Sequence, residues 1–127
     1  MDLDDLTGMI LKAAFKVHSE LGPGLFESVY ETALELELTR IGLSVDRQVG
    51  LPVIYDTIKL EVGYRADIIV EKKVLIEIKS VEAIAPVHKK QVITYLRLGN
   101  LKAGLLINFN VEHLKQGISR LFNNYAR

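Results

Sequence analysis

No cysteine occurs among the 127 residues. That excludes disulfides, thiolate metal sites and cysteine nucleophiles, and it is compatible with a cytoplasmic setting. No apolar stretch approaches the length of a membrane span. The segment MDLDDLTGMILKAAFKV opens on acidic residues, so it does not read as a secretory signal. No linker, internal repeat or low-complexity segment interrupts the chain. Net charge is also lacking, because 16 Lys and Arg balance 16 Asp and Glu. What remains is an ordinary globular composition, 49% hydrophobic and 25% charged. The length suits one domain, residues 1–127, with a real core.

The zero net charge hides an asymmetry. Residues 1–45 hold eight acids (Asp2, Asp4, Asp5, Glu20, Glu27, Glu31, Glu35, Glu37) against three bases (Lys12, Lys16, Arg40). Residues 83–127 hold one acid, Glu112, against seven bases (Lys89, Lys90, Arg97, Lys102, Lys115, Arg120, Arg127). A basic region can contact phosphates even when the whole molecule is neutral. The alternative is charge complementarity inside the fold or between subunits.

Periodicity lays out the elements. Ile10, Ala13, Ala14, Val17 and Leu21 recur at helical spacing and predict a first helix over 3–21, broken by GPG at 22–24. A second helix is expected over 26–41, with Gly42 as its stop and Phe26, Val29, Ala33, Leu36 and Leu38 as its apolar faces. The stretches 44–56, 58–70 and 73–81 are rich in β-branched and aromatic residues and read as strands, the last two joined by Glu71, Lys72 and Lys73. Residues 86–100 read as a helix, and 102–109 as a buried strand. The tail fits a short helix, or a helix plus an edge strand. The order α-α-β-β-β-α-β-(α) predicts an α/β sandwich with mixed sheet pairing.

One strand carries an oddity. In LIEIKS, residues 75–80, Glu77 and Lys79 share a face with Leu75, while Ile76 and Ile78 point to the other. A three-residue hairpin loop pairs Val70 with Val74, Ile69 with Leu75 and Asp67 with Glu77. Directly opposed residues have Cβ atoms roughly 4.5–5.5 Å apart, so the two carboxylates repel. A divalent cation between them removes the conflict, and Mg²⁺ is commonly held by one or two carboxylates plus waters. Lys79, about 6.5–7 Å further along the strand, could stabilise charge developing on a phosphorane-like transition state. The plain alternative is a solvated sheet face on which Lys79 offsets the acids.

Two helices add side chains. QVITY, 91–95, sets Gln91 and Tyr95 at i and i+4 on one face, joined by His88, with Lys89 and Lys90 beside them. GLFESVY, 24–30, sets Glu27 and Tyr30 at i and i+3. Glu27 falls in a first turn, where the helix dipole alone would explain an acid. The other reading makes it a third carboxylate near the metal.

Asp67, then EIK at 77–79, then QVITY at 91–95 together resemble the PD-(D/E)XK nuclease superfamily, with the Gln…Tyr helix of its RecB-type branch. GLFESVY resembles the signature of the GxxExxY proteins, a branch of the same superfamily. The resemblance covers roughly residues 5–122. It implies a restriction-endonuclease-like core: a central mixed β-sheet flanked by helices. It implies Asp67, Glu77 and Glu27 as ligands of Mg²⁺, which Mn²⁺ could replace. Lys79 would be the catalytic lysine, Gln91 would position water or substrate, and Tyr95 would support it. His88, Lys89, Lys90 and Tyr30 are then the expected nucleic-acid contacts. The iron–sulfur cluster of some RecB-type relatives is ruled out by the missing cysteines.

The leading expectation is therefore a metal-dependent nuclease acting on nucleic acid, first of all DNA, in processing or repair, with no membrane partner. Small domains of this type often pair to act on two strands, so the resemblance also implies a homodimer. The alternatives are a non-catalytic nucleic-acid-binding or assembly module that retains the fold, or a structural domain whose polar face is solvated. DNA and RNA, and end and internal cleavage, both fit these residues.

Overall fold

A computed structural model describes residues 1–124; Arg127, one of the basic residues counted above, lies outside the described residues. Helix α1 (Leu3–Leu21) starts on Asp2, whose carboxylate accepts the Asp5 N–H at 2.8 Å. It stops at Gly22, whose φ of 68° a side chain would resist. Its buried stripe is Leu6, Ile10, Ala13, Ala14 and Val17.

Helix α2 (Glu27–Arg40) ends before Gly42, as expected, but it buries a different stripe. Tyr30, Leu34 and Leu38 are fully covered, whereas Phe26 is 83% exposed and Val29 and Leu36 also face outward. The reason is the i, i+4, i+8 spacing of the buried three, which aligns them along one side. Tyr30 adds its ring, stacked on Phe109 at 4.5 Å.

Two of the expected strands are each broken in two. Residues 44–56 give β1 (Val45–Gly50) and β2 (Val53–Tyr55); residues 58–70 give β3 (Ile58–Leu60) and β4 (Arg65–Val70). Pro52 has no N–H for a ladder, and Gly63 turns the chain with φ 83°. β2 and β3 form a separate, exposed two-stranded ribbon. The Leu51 N–H donates to the Tyr64 carbonyl at 2.8 Å and closes the base of that ribbon.

The main sheet has the order β1-β4-β5-β6-β7. β5 (Val74–Lys79) pairs antiparallel with β4 in the expected register, Val70 with Val74 and Ile69 with Leu75. Helix α3 (Pro86–Gly99) crosses over to β6 (Ala103–Asn108), which runs parallel to β5. The tail is a single 3-10 turn, Leu114–Gly117, followed by the edge strand β7 (Ile118–Phe122).

Alternation then builds two cores. Ile68, Val70, Val74, Ile76 and Ile78 pack under α1 and α2. Ile69, Leu75 and Leu106 pack against Val92, Tyr95 and Leu96 of α3. At Gly104 an added Cβ would lie 3.1 Å from Val92 and 3.2 Å from Leu96, so glycine lets α3 sit close to the sheet. Among the described residues no helix is long and apolar enough to cross a membrane.

Candidate active site

The β4–β5 ladder runs regularly as far as Ile68 and Ile76. At the next step two carboxylates enter it. The Asp67 N–H donates to Glu77 Oε1 at 2.9 Å, and the Ile78 N–H donates to Asp67 Oδ2 at 2.9 Å. Side-chain oxygens thus accept where backbone carbonyls would in an unbroken sheet. Glu77 is only 4% exposed, on the face covered by α3. The idea of a solvated sheet face is corrected here: this strand is covered on both sides.

Burial dominates the electrostatics. It pushes the Glu77 carboxyl up to about 8, aided by the Asp67 charge and opposed by the Asp67 N–H and the Lys79 charge. Asp67 is raised as well, by burial and by the charge of Glu31, against the Ile78 N–H and Gln48. Each carboxylate has one oxygen committed to a backbone N–H; the second oxygen of Asp67 accepts only a long bond from Gln48, at 3.3 Å. Two neighbouring buried acids of this kind fit a hard divalent cation that keeps several of its waters. They do not form an all-protein cage. Among the described residues no group of three or more His, Asp or Glu side chains is placed to hold a metal.

Glu27 is accordingly a correction. It is exposed in the first turn of α2 and makes no hydrogen bond or ion pair with any described residue. The helical acid that approaches the pair is Glu31, one turn further on and 7% exposed. Arg47 grips it at 2.7 Å and reaches Glu35 at 3.2 Å. Gln48 bridges the two sides: its Nε2 donates to Glu31 at 3.0 Å and 3.2 Å and to Asp67 Oδ1 at 3.3 Å. Gln48 has φ 51° in the middle of β1, where the β1–β4 pairing skips from Arg47 to Val49. A non-glycine residue held there signals a local constraint. The Glu31 position could have been read from the i+4 spacing to Glu27. Its partners, sixteen and seventeen residues on, could not.

Beyond Glu77, Lys79 opens into a cleft of about 540 Å³. Gln91 and Tyr95 line it from α3, with Gln91 Nε2 donating to the Tyr95 hydroxyl at 3.0 Å. Burial and then the Glu77 charge raise the Tyr95 phenol, so the hydroxyl keeps its proton at neutral pH. Lys90 and His88 line the same cleft, and Lys89 is exposed beside them. His88 has a second task, since its Nδ1 accepts the Ala85 N–H at 2.9 Å and caps α3. Tyr64, absent from the sequence-based expectations, forms the facing wall, its ring 6.0 Å from that of Tyr95.

Tyr30 is the other correction. It has no exposed surface and cannot touch nucleic acid. Its hydroxyl donates to the Gly22 carbonyl at 2.6 Å and accepts the Leu25 N–H at 3.1 Å, strapping the loop between the first two helices. Ser80 fastens the same loop to the end of β5 by donating to the Leu25 carbonyl at 2.6 Å.

The charge asymmetry resolves in one direction. Glu31, Glu35 and Glu37 pair with Lys16, Arg40 and Arg47, all from the first half of the chain. Lys89, Lys90, Arg97, Lys102, Lys115 and Arg120 form no ion pair with any described residue. Internal complementarity therefore does not consume the basic region.

No curated protein and no solved structure matches the chain. A family model described as the PD-(D/E)XK nuclease superfamily matches residues 4–121. That span takes in the carboxylate pair, Lys79 and the Gln91–Tyr95 helix, and the chain belongs to the PD-(D/E)XK nuclease superfamily.

Proposed function

We propose that the chain, as one nuclease-like domain, is a Mg²⁺-dependent nuclease of the GxxExxY, Gln…Tyr-helix branch, and that it hydrolyses phosphodiester bonds. The observation that carries this reading is the buried Asp67–Glu77 pair two residues from Lys79, which lines a cleft shared with Lys90 and Gln91. Asp67 and Glu77 are the residues that would hold Mg²⁺, or Mn²⁺ in its place. A cation there supplies Lewis-acid polarisation of the phosphate and a more acidic water.

The protein's own groups do the rest. Lys79 presents an ammonium to the charge that develops on the phosphoryl oxygens. Gln91, held by Tyr95, orients the water or the phosphate. Lys90 and Lys89 attract the backbone of the nucleic acid in a salt-dependent way. Gln48 and Arg47 keep the Glu31 carboxylate beside Asp67 and act as positioning residues. DNA as substrate, a cytoplasmic setting and action as a homodimer belong to the same reading.

Cation titration by calorimetry, followed by cleavage assays on single-stranded, duplex and branched DNA and RNA, tests it. Asp67→Ala and Glu77→Ala should abolish Mg²⁺ binding, and Lys79→Ala should spare binding while cleavage falls by about 10²–10³-fold. Full-rate cleavage in Lys79→Ala would contradict its role. Cation binding with no cleavage of any substrate would favour an assembly module that retains the fold.

A further inference from the structure

We propose that Tyr64 is a base-stacking residue and that the cleft takes an unpaired nucleotide, so that the substrate is a single strand rather than intact duplex. The inference rests on the nuclease reading of this same site.

Tyr64 stands where the β2–β3 ribbon returns to β4, three residues before Asp67. Its ring leans on Tyr95 at 56°, yet the residue is 44% exposed and lines the cleft. One side of the ring is thereby anchored while the cleft side stays open. Lys79, Lys90 and His88 share that cleft. An aromatic face beside a cationic track is the combination that holds single strands, bases on the ring and phosphates on the charges. Val87, also in the lining and 64% exposed, extends the apolar wall.

The depth of the site points the same way. Glu77 is 4% exposed, so its carboxylate lies below the molecular surface. The phosphates of duplex DNA lie on the outside of a stiff rod, whose persistence length is about 150 bp. A cleft of about 540 Å³ is of small-molecule size. That volume accommodates a single nucleotide, with its base against Tyr64.

The test uses single-stranded DNA and RNA oligonucleotides carrying 2-aminopurine, with the same sequences as blunt duplexes. EDTA is present so that cleavage does not enter. Wild type should bind the single strands at least tenfold more tightly than the duplexes and quench the 2-aminopurine on binding. Tyr64→Phe should retain both properties. Tyr64→Leu, which keeps an apolar contact with Tyr95, should weaken binding by roughly five- to 150-fold and lose the quench, at an unchanged melting midpoint. Equal or tighter duplex binding by wild type overturns the proposal without recourse to any variant. So does a Tyr64→Leu protein with wild-type affinity and quench. Strand binding through Tyr64 with no cleavage when Mg²⁺ is restored would sink the nuclease reading and leave this one standing. Efficient duplex cleavage that is indifferent to Tyr64→Leu would do the reverse.

Discussion

The two faces of the central sheet follow different rules. Under α1 and α2 the inward side chains of β4 and β5 are aliphatic, and Glu37 of α2 pairs with Lys16 and Arg40. Under α3 the same two strands carry Asp67 and Glu77 beside Ile69 and Leu75. The first face gains by excluding water from apolar area, a term of roughly 25 cal/mol per Å². The second holds two neighbouring carboxyls out of water, and burial keeps Glu77 protonated up to about pH 8, so ionising it without a cation opposes folding. Stability is concentrated on one side of the sheet, and chemistry sits within a few residues on the other.

Adjacent substitutions make the sharpest break. Ile76→Ala, at a fully buried position, should lower unfolding free energy by about 2–5 kcal/mol while activity per folded molecule stays near wild type. Glu77→Gln should do the opposite. It keeps an oxygen for the Asp67 N–H and removes the buried charge, so the metal-free protein gains stability at pH 8 while cleavage is lost. Urea melts and a cleavage assay on both variants decide the matter; parallel losses would erase the distinction between the faces.

Titration tests the second face without a substitution. Glu77 ionises near 4.5 when unfolded and near 8 when folded. Between those values the folded protein holds a proton that the unfolded chain has released. Stability of the metal-free protein should therefore fall as pH rises from about 4.5 to about 8, then level off. Chemical melts across that range should show the decline, and Glu77→Gln should flatten it. The stabilisation conferred by added Mg²⁺ should be greatest at the alkaline end, where no proton need leave.

The smallest effect concerns Gln48. Glycine takes its φ of 51° freely and alanine does not. Gln48→Ala should thus be less stable than Gln48→Gly by about 1 kcal/mol, as read from paired denaturant midpoints. Both lose the amide that joins Glu31 to Asp67, so both should bind Mg²⁺ more weakly than wild type.

Legibility in the sequence followed the range of the interactions. The register of Val70 with Val74 was readable because a three-residue loop and strict alternation leave one pairing that buries both apolar sets. Gly42 as a helix stop was equally local. The split of 58–70 into β3 and β4 was signalled by Gly63, but the β-rich residues on either side outweighed it. The role of Glu31 is not legible in the sequence because its carboxylate depends on Arg47 and Gln48, which approach only once β1 has docked beside α2. The burial of Tyr30 is not legible in GLFESVY because a motif shows spacing and not depth; its stacking on Phe109 joins residues far apart in the chain.

The stitching of Asp67 and Glu77 into the ladder has a spectroscopic consequence. The amide protons of Asp67 and Ile78 each point at a carboxylate oxygen of the pair. Protonating Glu77, loading a cation or seating a phosphate alters the field at those two protons directly. In a ¹⁵N-labelled sample they act as resident reporters of occupancy, readable with no probe attached to the cleft. Ile69 and Leu75, next along the same strands and facing the same helix, supply the silent reference.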